Sequence, residues 1–244
     1  MLPRTILLAA LAAGLLGLSD TSADAQPTPL KPADAEKAKK ALQEVQDFIG
    51  LWNLEGTQKD GARTIAWNEK VTWGWKFKDG DAWITVEFAP AKGKGDPKVY
   101  TAGTLRFDPA KKKYVLTLAT VNKTEQVFEG DLGKNGGLVL TRKDAKSGDV
   151  FRLTLNTLAE GVRFQLRYER QEGGKGPYES LFAMNGSKDG ESFAGGGVKK
   201  PECIVSGGAA NIAVSIAGKT YYVCCTGCRD ELLANPDKYI KAKK

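Results

Sequence analysis

The cysteines are the side chains best suited to chemistry in this chain, which contains four cysteines and no histidine. Cys224, Cys225 and Cys228 fall within five positions, and twenty residues separate Cys203 from Cys224. A thiolate is both a nucleophile and a metal ligand, and the positive N-terminal end of a helix favours its formation. The chemistry therefore depends on which sulfurs the local elements bring together.

Residues 201–240 have the pattern of a β-hairpin followed by a short helix. Two short strands flank an Ala-Gly-Lys turn, and a helical pattern covers 227–234. The hairpin would return the loop that holds Cys203 to the strand-to-helix junction that holds Cys224 and Cys228, so three sulfurs can converge. A unit of about 45 residues buries little core, so a metal ion or disulfides are expected to stabilise it.

The same region resembles the YHS domain and the related TRASH domain. The resemblance covers residues 201–241 and rests on Cys-Ile-Val-Ser-Gly, then Gly-Lys-Thr-Tyr-Tyr-Val-Cys-Cys-x-x-Cys, then Asn-Pro-Asp-Lys-Tyr. Domains of this kind are small, cysteine-based and associated with heavy-metal trafficking, resistance and sensing. The resemblance implies a treble-clef-like hairpin and helix in which Cys203, Cys224 and Cys228 are metal ligands.

The ligand set beyond these three sulfurs is open. Cys225 is an addition with no assigned role and is a candidate ligand, and the histidine of some family members is absent. An oxygen from Glu202 or Asp230, or a water molecule, could complete the site. Sulfur ligands select soft or borderline ions such as Zn(II), Cu(I), Cd(II) or Hg(II) over Mg(II) and Ca(II). We predict one such ion as the cofactor.

Other interpretations of the cysteines stay open at this point. Cys225-Thr-Gly-Cys228 is a C-x-x-C at a strand-to-helix junction, where a thiol–disulfide oxidoreductase places a thiol of low pKa. The surrounding sequence, however, does not predict the larger α/β sheet that such a fold needs. Alternatively, the four cysteines form disulfides, as is common in exported proteins, or the domain is a degenerate relative kept for packing or protein contact.

The N-terminus has the pattern of a secretory signal peptide. After Arg4 an apolar run extends from Thr5 to Leu18, too short for a stable membrane-spanning helix, and Ala23-Asp-Ala25 fits a signal-peptidase site. We therefore predict that residues 1–25 are removed and that the protein is exported to the periplasm or the extracellular space. There it is expected to be soluble, without stable membrane insertion.

The charge pattern argues against a nucleic-acid partner. Cleavage would remove one Arg and two Asp, which changes the net charge from +7 to +8. The positive charge is scattered, with short clusters at 111–113 and 241–244 and no basic helix interleaved with aromatic residues. A solvated surface is the better interpretation.

From Trp52 to about Val198 the sequence alternates between apolar and polar residues in short segments separated by turn signals. The clearest segment, 162–170, is apolar at the even positions from 162 to 168. About ten such strands without helical interruption predict a mainly β fold, an up-and-down antiparallel barrel over residues 50–198. An extended leader at 26–33 and a helix at 34–49, with Asp34 as its N-cap, are predicted before it.

One short motif resembles the entrance of the lipocalin-like (calycin) barrels. Gly50-Leu-Trp52 lies where the leading helix meets the first strand, which is the place of the Gly-x-Trp motif in those proteins. There the tryptophan plugs the closed end of the barrel. The resemblance covers roughly residues 48–198 and implies the same role for Trp52.

A barrel of this size can enclose a small apolar ligand or can be filled by its own side chains. The candidate lining residues are the other four tryptophans, Trp67, Trp73, Trp75 and Trp83. A haem cofactor is not expected, because the usual axial histidine is absent. An enzyme is not expected either, because no carboxylate pair or histidine base is recognisable. The alternative to a metal-binding protein is thus a ligand carrier with a disulfide-stabilised module at 199–244.

Overall fold

The computed structural model of the protein describes residues 30–92, 97–191 and 200–240. In these ranges ten strands close into an antiparallel barrel, which is followed by a two-stranded sheet and two short helices. The predicted signal peptide at 1–25 and the glycines at 195–197 lie outside the described residues. None of the helices in the described ranges has the length and apolar character needed to cross a bilayer.

Each barrel strand pairs with the next strand in the chain, and the last strand returns to the first. The bounds are β1 Gly50–Asp60, β2 Arg63–Lys78, β3 Asp81–Pro90, β4 Tyr100–Asp108, β5 Lys113–Thr120, β6 Glu125–Leu132, β7 Leu138–Lys143, β8 Val150–Leu158, β9 Arg163–Gln171 and β10 Glu179–Lys188. The closure confirms the mainly β, up-and-down barrel predicted from the alternating pattern. It leaves no free edge along the ring, which removes a site for aggregation.

The C-terminal part is a hairpin followed by helices, as the sequence pattern predicts. Strands β11 (Ile212–Ile216) and β12 (Lys219–Val223) pair in antiparallel fashion. Helix α2 (Thr226–Ala234) follows directly, and the single turn α3 (Pro236–Tyr239) ends the described chain. The buried side chains of this part are continuous with the buried core of the barrel.

The leading helix differs from its predicted bounds at both ends. Helix α1 spans Pro32–Gln43, with Lys31 as its N-cap, so the predicted leader at 26–33 ends too late and the helix prediction at 34–49 is wrong at both ends. Proline is favoured in the first turn because its missing N–H is not needed there, and Asp34 instead accepts a hydrogen bond from Lys37. After Glu44 the chain tightens into a 3₁₀ turn, Gln46–Phe48.

The 3₁₀ turn and Trp52 close one end of the barrel. The Trp52 indole Nε1 donates a hydrogen bond to the Phe48 carbonyl at 2.7 Å, and its ring lies 5.2 Å from the ring of Phe164. Phe48 also contacts Trp73, at 5.7 Å between ring centroids. These aromatic side chains are fully buried, so they fill this end of the barrel with packed core.

The other tryptophans have different positions. Trp75 is fully buried and, like Trp73, belongs to the core. Trp67 is half-buried and packs against Gly56 and Phe182 near the opposite end. The assignment of Trp83 to the interior is wrong. Its neighbours Ala82 and Ile84 point inward, so the alternation of the strand places Trp83 on the outer face. There its ring lies 4.3 Å from the Arg106 guanidinium.

Trp52→Phe is expected to destabilise the protein by about 2 kcal/mol, because it leaves the buried Phe48 carbonyl without its donor. Trp83→Phe provides a matched control, since Trp83 lies on the outer face and a smaller ring can still contact Arg106. Urea unfolding followed by circular dichroism measures both. Equal stability of the two variants would contradict a role for Trp52 in closing the barrel.

Glu69 is a buried acidic residue inside the barrel. Burial raises the pKa of its carboxyl above the ordinary 4.5, while the hydrogen bond donated by the Lys98 backbone N–H acts in the opposite direction. The folded state therefore holds this proton more tightly than the unfolded state does. The resulting contribution to stability is present below the ordinary pKa and is lost as the pH rises through the folded-state pKa.

Glu69→Gln is consequently expected to stabilise the protein at pH 7, by about 1 kcal/mol, because a buried charge disappears while the oxygen that faces Lys98 is kept. The gain should shrink at pH 4, where the native carboxyl is already protonated. Urea unfolding of both proteins at the two pH values tests this. A variant that is less stable at pH 7 would show that the ionised carboxylate is a net stabiliser.

Candidate metal centre

The loop that carries Cys203 is held against the end of β12 by backbone hydrogen bonds. The Cys203 N–H donates to the Gly208 carbonyl at 2.7 Å, and the Gly207 N–H donates to the Cys203 carbonyl at 2.8 Å. The Ile204 N–H donates to the Tyr222 carbonyl in β12 at 3.1 Å. Gly207 has φ +80°, a conformation that glycine adopts easily. The loop thus brings Cys203 to the strand-to-helix junction.

Cys224 and Cys228 come to the same point from the other side. Cys224 directly follows β12, and Cys228 lies in the first turn of α2, where it is fully buried. The sulfurs of Cys203, Cys224 and Cys228 all lie within 4.8 Å of one another, and the Cys224 and Cys228 Sγ atoms are 3.6 Å apart. We call these three side chains the thiol cluster. None of the four cysteines is joined in a disulfide.

Cys225 does not belong to the thiol cluster and has a separate contact. Strand β1 begins at Gly50, opposite Trp73 of β2, so β2 continues past it and the Trp75 backbone has no partner in β1. The Trp75 N–H donates a hydrogen bond to the Cys225 Sγ at 3.3 Å. Cys225 therefore attaches the C-terminal part to this uncovered stretch of β2.

Gly227 forms the second part of this attachment. A Cβ atom at Gly227 would lie 1.7 Å from the Trp75 carbonyl oxygen, far inside van der Waals contact. Helix α2 can approach the strand only because this position has no side chain. The sequence gives little signal for this requirement, because Thr226-Gly227 after a cysteine pair is also typical of an ordinary turn.

The thiols of the cluster differ widely in pKa. Hydrogen bonds with the Cys224 and Cys228 thiols hold the pKa of Cys203 far below its ordinary value, and the same interactions raise the pKa values of Cys224 and Cys228. Beside the cluster, hydrogen bonding from Cys224 and then Cys228 lowers the pKa of Cys225 to about 3. The cysteines as a group thus favour thiolates at Cys203 and Cys225 and neutral thiols at the other two positions.

Ser206 is a neighbour of the thiol cluster that the sequence did not single out. It is buried, its hydroxyl lies 3.3 Å from the Cys224 Sγ, and its N–H donates to the Cys203 Sγ at 3.5 Å. Serine is common in turns, so only its burial distinguishes it from the surrounding loop.

The two carboxylates considered as additional ligands do not join the cluster. Glu202 and Asp230 are exposed, and Asp230 pairs with Arg229 at 2.9 Å. Across the described ranges, the thiol cluster is the group of cysteine and acidic side chains with metal-ligand spacing, and it contains no carboxylate. Of the alternatives left open for an additional ligand, a carboxylate oxygen from Glu202 or Asp230 is therefore not supported by the geometry.

Comparisons with known proteins give no family assignment. No family model and no curated protein matches the chain. Among solved structures, the crystal structure of Rv2717c from M. tuberculosis is 16% identical and covers 61% of this chain and 96% of its own, with a TM-score of 0.42. The S-type phycobiliprotein lyase CPES from Guillardia theta is 10% identical and covers 67% of this chain and 99% of its own, with a TM-score of 0.43.

Proposed function

We propose that this protein binds one soft or borderline metal ion at Cys203, Cys224 and Cys228 and serves in the handling, resistance or sensing of such an ion. The observation that carries the proposal is the convergence of three buried sulfurs from a loop, a strand end and a helix within 4.8 Å. Zn(II) and Cu(I) are the leading candidates, because both accept thiolate ligands.

The spacing of the sulfurs fits such an ion. A metal ion bound at about 2.3 Å to each of three sulfurs keeps those sulfurs roughly 3.8 to 4.0 Å apart. The observed 3.6 Å between Cys224 and Cys228, and the upper limit of 4.8 Å for the set, lie close to this requirement. The cluster needs only a small contraction or expansion to bind an ion.

The surroundings of the cluster also support a ligand role. The apolar side chains of Val205, Val223 and Leu232 in the C-terminal part are buried in the same core as the sulfurs. An apolar environment excludes water and competing hard ligands, which favours bonds between a soft ion and sulfur. The resemblance of residues 201–241 to YHS and TRASH domains agrees with this role, and the signal-peptide pattern suggests that the protein acts outside the cytoplasm.

The decisive experiment counts metal and free thiols together in protein exported to a non-reducing compartment. We expect about one metal ion per chain by elemental analysis, with cluster thiols that react with a thiol reagent only after chelation and unfolding. Absence of both metal and free thiols would mean that the cysteines form disulfides. That result would reject the proposal and leave the barrel as the place to seek a function.

A further inference from the structure

The barrel end opposite Trp52 presents basic side chains toward the interior. Arg142 of β7 pairs with Phe151 of β8, and Phe151 pairs with Arg170 of β9. Residues that pair across antiparallel strands share a face. The next row inward contains the buried Leu153 and Tyr168, so this face is the inner one.

Each of the two arginines forms an ion pair with an acidic residue at the exposed rim. Arg142 pairs with Asp144 and Arg170 pairs with Glu179, each at 3.6 Å. Among the described residues, the buried Nε atoms of both arginines have no hydrogen-bond acceptor. Buried donors without acceptors carry an energetic cost that an anion at this point would remove.

Polar and aromatic groups surround these guanidinium groups. The hydroxyls of Tyr100 and Tyr168 lie 3.2 and 3.5 Å from the Gln126 Oε1, and an Arg142 Nη lies 3.5 Å from the Tyr168 hydroxyl. The Arg142 guanidinium stacks 4.3 Å from the Phe151 ring centroid. The ring centroid of Phe182 lies 5.2 Å from that of Tyr168, and both side chains are buried, so the aromatic cluster continues into the core.

The arginines remain accessible from outside. The exposed fraction of the side chain is 21% for Arg142 and 37% for Arg170, so both side chains reach solvent in part although their Nε atoms are buried. Strands β7 and β9, which carry the two arginines, are separated by β8, so their backbones lie roughly 10 Å apart. Side chains of this length can therefore reach one anionic group from both sides.

We propose that this end of the barrel binds a small aromatic organic anion. Its negatively charged group lies between Arg142 and Arg170, and its ring packs beside the partly buried Phe151. The planar fork of arginine matches the oxygens of a carboxylate or sulfonate, and its face stacks on aromatic rings. The site lies at the end of the barrel away from the thiol cluster, so it is independent of metal binding.

The test uses two fluorescent probes with the same rings: anilinonaphthalene sulfonate, which is anionic, and phenylnaphthylamine, which is neutral. We expect the full-length protein to bind the sulfonate at least roughly tenfold more tightly than the neutral probe. Arg142→Gln and Arg170→Gln should each weaken sulfonate binding about tenfold and leave the neutral probe unaffected. Equal affinity for both probes, or no saturable binding of either, would overturn the proposal.

Arg152→Gln is the matched control. Arg152 lies on the outer face of β8 at the same end, where it pairs with Glu169 at 2.8 Å and stacks on Tyr178. The Arg152→Gln variant should bind both probes as the native protein does. A tenfold loss of sulfonate binding in this control would reject the site.

A measurement on native protein covers the case in which the arginine variants do not fold. Added salt should weaken binding of the sulfonate and not of the neutral probe, because salt screens charge. Insensitivity of sulfonate binding to salt would count against the arginine site.

Discussion

Replacing Cys228 with serine is expected to reduce bound metal from about one ion per chain to nearly none. Cys228 is fully buried and shares the thiol cluster with Cys203 and Cys224, so the substitution leaves two of three sulfurs. A serine hydroxyl is a hard, neutral donor and does not replace a thiolate for a soft ion. Elemental analysis after dialysis against a weak chelator measures the loss.

Cys225→Ser is the matched control for this experiment. Cys225 lies outside the cluster, and a serine oxygen can still accept the hydrogen bond from the Trp75 N–H. This variant should therefore keep its metal. Loss of metal in the control, or full retention of metal in the Cys228 variant, would contradict the assignment of ligands.

The barrel could be predicted from sequence because one rule, alternation, decides both the faces and the number of strands. Phe164, Leu166 and Tyr168 occupy the even positions of the segment predicted most clearly, and all three are buried in β9. Local patterns of this kind need no knowledge of distant parts of the chain. The same rule also predicts an outward position for Trp83, between Ala82 and Ile84. Trp83 was therefore a poor candidate for the lining of the interior, even from the sequence alone.

The helix bounds show the limit of local patterns. Apolar residues continue at helical spacing through Ile49, yet α1 ends at Gln43. The chain instead forms the 3₁₀ turn Gln46–Phe48, and the Phe48 carbonyl accepts the indole N–H of Trp52 in the first strand. Tertiary packing therefore overrides periodicity at this junction.

The candidate metal centre was predictable in part. A hairpin between Cys203 and Cys224 has a local signature, and it brings the loop back to the helix start. The roles of Cys225, Ser206 and Gly227 depend on contacts that no local signature contains. Cys225 and Gly227 meet β2 only because β1 begins opposite Trp73 and leaves Trp75 uncovered.

Gly227→Ala is expected to destabilise the protein by about 3 kcal/mol, although alanine normally favours a helix over glycine by about 1 kcal/mol. The reversed sign follows from contact, since the added Cβ would lie 1.7 Å from the Trp75 carbonyl oxygen, which is backbone and cannot rotate away. Either α2 moves off the barrel or β2 distorts, and both outcomes break the hydrogen bond from the Trp75 N–H to Cys225.

Urea unfolding measures the change, with Gly74→Ala as the control. Gly74 is in the same strand, and a Cβ there would meet no atom within 4 Å, so this variant should stay within about 0.5 kcal/mol of the native protein. A Gly227 variant as stable as the control would show that α2 does not depend on close contact with β2.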